Sequence, residues 1–251
     1  MIRSILNGNN LRRASRQVMS NKGSAGIDGI PVQELICYLD IPEAAMLFLP
    51  EGITEKDIQT RAEQLDEFER NKAQIIESIM AGKYLPQPIR GVEIPKENGK
   101  KRLLGIPTVT DRMLQQATHQ IIYPLFEVEF KSGSYGFRPK RNAHQAVLAA
   151  QRHINEGYNH IVDIDLKTFF DEVDHCILLQ LLYRKIKCSL TLRLIRKWLR
   201  APIMIHGKLT KRRKGVPQGS LCNTLHNPPY AQSLVMRSVS CMFHNINLIT
   251  Q

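Results

Sequence analysis

At 251 residues the chain is long enough to bury a substantial core, as one large domain or two interleaved lobes. Its 35 Lys and Arg against 23 Asp and Glu leave a net charge of +12, which favours a polyanionic partner over an acidic or membrane-embedded one. No apolar run reaches the length of a membrane span, and the N-terminal stretch MIRSILNGNNLRRASRQVMS lacks the apolar core of a signal peptide. Five cysteines without a CxxC pair point to reduced thiols and a cytoplasmic setting rather than a disulfide framework.

In chain order, NLRRASRQVMSNKGSAGIDGIPVQEL predicts a basic helix ended near Gly23, a Gly-rich turn, and a second helix starting at Pro31. The stretch that follows is apolar, then acidic, with helical spacing from Thr54 onward. IRGVEIPKENGKKRLLGIP predicts a β-hairpin turning at Asn98-Gly99. TDRMLQQATHQIIYPLFEVEF predicts an amphipathic helix with Thr110 or Asp111 near its cap. SYGFRPKR is a loop, and NAHQAVLAAQRHINEG a helix capped by Asn142 and stopped at Gly157. HIVDIDL is a short strand, DHCILLQLLYRKI and LTLRLIRKWLRAPI are helices, and IMIHGKLTKRRKGVP is a second hairpin turning at His206-Gly207. Long helices mixed with hairpins predict an α+β fold rather than a doubly wound sheet.

Charge is unevenly placed. Beyond Asp174 there is no Asp or Glu but thirteen Lys and Arg, leaving 22 basic against all 23 acidic residues before that point. The last third therefore carries the footprint for a nucleic-acid backbone. The acidic residues crowd instead into IVDIDLKTFFDEVDH. On a strand Asp163 and Asp165 share a face, while Val162, Ile164 and Leu166 point into the core. Two aligned carboxylates at a strand end suit a hard cation such as Mg2+; the alternatives are strand-end solvation and helix capping, the latter expected of Asp174.

DLKTFFDEVDH resembles the first catalytic block of reverse transcriptases, in the version carried by group II intron-encoded proteins. RLLGIPTVTDRMLQQA, SYGFRPKRNAHQAV and RKGVPQGS resemble three further blocks in the family's order, and NKGSAGIDG is similar to its N-terminal extension. The resemblance implies a right-hand polymerase: an N-terminal extension over 1–36, a variable segment over 37–77 with an insertion over 38–66, fingers and the start of the palm over 78–160, and a partial palm over 161–220. It implies an antiparallel palm sheet with packed helices, RNA-templated synthesis of DNA from deoxynucleoside triphosphates on a DNA or RNA primer, and Mg2+ as cofactor. The alternative it leaves is a maturase role, holding intron RNA without synthesis.

Residue roles follow from the same alignment of motifs. Asp165 matches the metal-binding aspartate, with the Leu166 carbonyl as a second ligand. Phe170 falls where the family excludes a ribose 2′-hydroxyl. Lys96 and Arg102 flank the hairpin turn and would lean over a triphosphate. Arg138 would contact template or nucleotide, with a purely structural role as the alternative, and Gln218 would line the nucleotide site. The family's Tyr-Ala-Asp-Asp box, the source of further metal-binding carboxylates, does not follow Ser220. The expectation is a chain truncated or shifted in frame over 221–251, with impaired synthesis. A zinc site from Cys222, His226, Cys241 and His244 is a competing reading of that tail.

Overall fold

The computed structural model describes residues 1–38, 70–95, 99, 101–136, 138–158, 160 and 169–216. The expected strand at 161–168 and the tail with its four candidate zinc ligands lie outside those residues.

The N-terminal segment forms α1 (Ile2–Ile5) and the basic helix α2 (Gly8–Ser20), whose cap is the Asn7 side chain accepting the Asn9 amide at 3.0 Å. Leu11, Ala14 and Val18 recur at helical spacing on its buried face. The helix expected after Pro31 is present as a 3-10 helix, Val32–Tyr38; the Glu34 amide donates to the Pro31 carbonyl three residues back, and a run of seven residues sustains this tighter winding. A further helix, α3, covers residues 70–80.

The central element is α4 (Val109–Glu127), with Met113, Leu114, Ala117, Ile122 and Phe126 among its buried residues. Its cap is Thr108, two residues before the earliest position expected. Thr108 follows Pro107, stays extended, and its hydroxyl accepts the Asp111 amide at 3.2 Å, which puts Asp111 in the first turn. α2 packs along α4, and Asn10 locks the two together. Its Nδ2 donates to the Ile5 and Ala117 carbonyls, both at 2.9 Å, while Gln120 Nε2 donates to its Oδ1 at 2.9 Å. The glycine-rich turn of the N-terminal segment also has a packing reason: a Cβ on Gly26 would stand 2.6 Å from the Thr108 Cα.

α5 (Ala143–Asn155) carries a reciprocal capping box between Asn142 and Gln145, and no residue of it is buried. After the short α6 (Phe169–Glu172) come α7 (His175–Ile186) and α8 (Ser189–Arg200). Leu178, Leu182 and Ile186 of α7 face Leu194, Ile195, Trp198 and Leu199 of α8 in the core shared with α2 and α4.

Two hairpins make the sheet. β1 (Ile89–Pro95) pairs antiparallel with β2 (Lys101–Ile106), and β3 (Ile203–Ile205) with β4 (Lys208–Thr210). The second turns through His206 and Gly207, both at positive φ, the geometry that closes a two-residue hairpin. The order is β2-β1-β3-β4, and β1 pairs with β3 in parallel. The sheet is thus mixed, not the antiparallel sheet expected. The helices from α4 to α8 separate the two hairpins and supply the crossover that a parallel pairing needs. At that seam a Cβ on Gly91 would meet the Met204 carbonyl oxygen at 2.9 Å.

Candidate nucleotide and nucleic-acid site

Four local arrangements carry the polar chemistry. The first is the β1–β2 hairpin. Residues paired across an antiparallel ladder share a face, so Arg102, opposite Ile94, projects with Arg90, while Lys101 and Glu93 lie on the reverse side. There Lys101 Nζ donates to Glu93 at 2.7 Å, holding that carboxyl below its ordinary range. Arg102 is exposed and makes no ion pair or side-chain hydrogen bond among the described residues. Lys96 lies just outside them.

The second is a brace behind the SYGFRPKR loop. Arg138 donates through Nε and Nη2 to Glu127 Oε1 at 3.0 and 2.7 Å, and through Nη1 to the Lys131 and Ser134 carbonyls, both at 2.9 Å. Its guanidinium lies 4.6 Å from the Phe130 ring centre, and its side chain is only 8% exposed. The Tyr123 hydroxyl donates to the other Glu127 oxygen. Arg138 holds the Glu127 carboxyl below the usual carboxylate range, while burial, then Glu127, pushes the Tyr123 phenol upward. All of the Arg138 nitrogens are thus engaged inside the protein. Loop and α4 terminus are one unit through this side chain.

The third joins two of the sequence motifs. In the KGVP stretch the Gly215 amide donates to the Val173 carbonyl at 2.8 Å and the Val216 amide to the Phe170 carbonyl at 2.7 Å. Buried His175 completes the clasp, Nε2 donating to the Gly215 carbonyl at 2.8 Å. Because a carbonyl only accepts, the neutral ring carries its proton on Nε2 and leaves Nδ1 bare, with no partner among the described residues. Burial lowers the His175 pKa, and Arg212 and Arg200 push the same way. Gly215 is at φ +78°, where a Cβ would come within 2.6 Å of the Asp171 carbonyl oxygen. Phe170 and the residues leading to Gln218 are therefore held side by side. Asp165, Leu166 and Gln218 themselves lie outside the described residues.

The fourth is a concavity of about 780 Å³ at the N-terminal helices, lined by Arg3, Arg12, Arg13 and Arg16 with Asn7 and Asn9. Four guanidiniums around an open recess suit phosphate oxygens.

Of the remaining acidic residues in the opening motif, Asp174 caps α7 by accepting the Cys176 and Ile177 amides at 2.7 and 3.0 Å, and Glu172 pairs with Lys214 at 2.6 Å. Among the described residues no group of three or more His, Cys, Asp or Glu is placed to hold a metal ion, and no helix is long and apolar enough to cross a membrane.

Sequence reasoning treated Asp111 only as a cap. It is buried, and accepts from Tyr84 Oη (2.8 Å), the Gln87 amide (3.1 Å), Thr108 Oγ1 (3.0 Å) and Trp198 Nε1 (2.9 Å). Burial raises its pKa, partly offset by these donors. The partners are spread from 84 to 198, so no local spacing points to the cluster. The His175 clasp escapes a sequence reading for the same reason.

Comparison with known proteins agrees with the motif order. The model of the family described as reverse transcriptase (RNA-dependent DNA polymerase) matches residues 94–250, well over half the chain and including the stretch beyond Ser220. The group II intron-encoded protein LtrA of Lactococcus lactis subsp. cremoris is 40% identical over 152 residues, covering 60% of this chain and 25% of LtrA. Protein YkfC of Escherichia coli K12 is 35% identical over 153 residues, 59% of this chain and 40% of YkfC. Nuclear intron maturase 1 of Arabidopsis thaliana is 31% identical over 94 residues, 38% of this chain and 13% of that protein. The chain spans between about an eighth and two fifths of these relatives. With the ordered motifs and the mixed helix-and-sheet fold, the match shows that this chain belongs to the reverse transcriptase family.

Proposed function

We propose that these residues form the fingers and part of the palm of an RNA-directed DNA polymerase that acts on a group II intron RNA, in the cytoplasm. The observation that carries this reading is the Gly215–His175 clasp. It brings the block holding Phe170 against the block leading to Gln218, as a nucleotide pocket built from both requires. Phosphoryl transfer is mostly positioning and charge neutralisation, and the chain's cations suit that task. Arg102 is exposed on the hairpin, without an ion pair among the described residues, and would meet the triphosphate, together with Lys96. Arg138 would act by holding its loop rigid against α4, since contact with nucleotide would require it to leave Glu127. Phe170 would set the sugar preference, and Gln218 would line the pocket.

For the cation, Asp165 and the Leu166 carbonyl are hard oxygen donors and suit Mg2+, which would neutralise charge on the phosphates. They fit one ion rather than a pair, because residues 175–251 contain no further Asp or Glu. These 251 residues by themselves are accordingly expected to hold RNA template and primer but to synthesise little DNA. The maturase-like reading, RNA held without synthesis, draws its support from the arginine-lined concavity and the acid-free last third.

Primer extension on poly-rA/oligo-dT with Mg2+, beside RNA binding at several salt concentrations, tests both. Salt-sensitive binding with weak synthesis is the expected result. Robust synthesis abolished by Asp165→Ala would overturn the expectation of weak activity, and binding indifferent to salt would remove the nucleic-acid reading itself.

A further inference from the structure

We infer that the outer face of α8, with the turn that follows β4, is a second grip for the phosphodiester backbone of a nucleic-acid duplex, adjoining the clasp and distinct from the hairpin and the N-terminal concavity. The inference rests on the nucleic-acid reading above and adds a surface to it.

The inner face of α8 is fully committed. Leu194, Ile195 and Leu199 are buried in the core, Trp198 donates to Asp111, and Lys197 Nζ donates to the Gly82 and Tyr84 carbonyls at 2.8 and 2.6 Å. The helix is therefore immobilised in one rotation about its axis. That rotation leaves Arg193, Arg196 and Arg200 exposed on a single stripe, at spacings of three and four residues. They span about 10 Å along the axis, the reach of neighbouring phosphates on one strand.

Arg212 anchors the next basic turn at the end of the stripe. Its Nη2 donates to the Leu199 and Ala201 carbonyls at 3.2 and 3.4 Å, which pins the turn after β4 against the end of α8. Lys211 and Arg213, on either side of Arg212, are exposed.

Like charges three and four residues apart repel, and a solvated surface helix ordinarily intersperses acids among them. Here the chain has no acid from 175 to 251, and the acids seen in ion pairs with this third among the described residues are taken elsewhere: Glu129 by Lys185 and Glu172 by Lys214. Arg193, Arg196, Arg200, Lys211 and Arg213 have no anionic partner among the described residues. A surface held rigid from behind and left uncompensated in front is matched by a polyanion of regular spacing. The backbone of a duplex has that spacing and presents no requirement for base sequence.

The test compares the salt dependence of binding to a short labelled RNA duplex for the unmodified chain, the variant R193Q/R196Q/R200Q, and a charge-matched variant K131Q/R184Q/K187Q altered at exposed positions off α8. Every phosphate that the protein no longer neutralises lowers the slope of log K against log salt by about 0.7–0.9, so the first variant is expected to lose roughly 2–3 from the slope and the second little. The single variant R196Q, expected to lower the slope by about a third as much, serves should the triple variant unfold. An unchanged slope in the α8 variants, beside steep salt dependence in the unmodified chain, overturns this surface alone. An equal fall in both triple variants assigns the effect to net charge and also overturns it. Salt-indifferent binding by the unmodified chain overturns this proposal together with the reading it rests on.

Discussion

Removing the Asp111 carboxylate tests whether tertiary hydrogen bonding, and not apolar contact alone, joins the hairpin approach, α4 and α8. In Asp111→Ala four donors lose their acceptor at once. Tyr84 Oη and Thr108 Oγ1 can rotate toward other acceptors, but the Gln87 amide is fixed by the backbone and the Trp198 indole N–H is buried, 2% of the residue being exposed. Each buried donor left unpaired costs about 1–3 kcal/mol, so two fixed donors and two that relax partly give roughly 3–5 kcal/mol. Against a domain stability of about 5–15 kcal/mol this is a large fraction. Asp111→Asn keeps one oxygen facing Tyr84 and Trp198 and sets an NH2 against the Gln87 amide, so about 1–2 kcal/mol is expected. Urea unfolding followed through Trp198, the only tryptophan, reads both. An alanine variant within about 1 kcal/mol of the unmodified chain would refute the reasoning, because it would mean that water or other acceptors already serve these donors.

The remaining predictions concern burial and backbone space. Burial lowers the His119 pKa to about 4, and its Nε2 is buried with no partner among the described residues. The unfolded chain therefore takes up the proton first, and stability falls as pH drops from 6.5 to about 4, by ~3 kcal/mol from this residue. His119→Gln should flatten that part of the pH profile measured by thermal melting, and an unchanged profile would count against the assignment. Gly215→Ala must place a Cβ 2.6 Å from the Asp171 carbonyl at φ +78°, so it should loosen the clasp and raise hydrogen exchange at the Gly215–Val216 amides. His175→Gln, which keeps a donor at the Nε2 position, should retain more of that protection than His175→Ala; equal loss in both would show that the ring's bulk, not its hydrogen bond, holds the loop.

Local chemistry makes much of this chain legible from its residues alone. Asn142, Asp174, the His206-Gly207 turn and the alternating strands around Asn98-Gly99 each act on neighbours a few residues away, so their patterns in sequence are the interactions themselves. The four motifs and their order identify the family for a related reason: each is a short segment whose residues act together. The cap of α4 shows the limit of this reasoning. Thr108, Thr110 and Asp111 all suit a helix start, and the choice fell to Thr108 because Asp111 is drawn inward by Tyr84, Gln87 and Trp198.

Only the tertiary structure decided what such long-range pairings decide. The parallel register of β1 on β3 depends on helices between them delivering Ile203 opposite Ile89. The commitment of Arg138 to Glu127, the closing of His175 on Gly215, and the division of α8 into a pinned face and an exposed arginine stripe depend likewise on residues far apart in sequence. Propensity and periodicity act over one or two turns of chain, whereas the energy of a buried polar group depends on which distant partner reaches it.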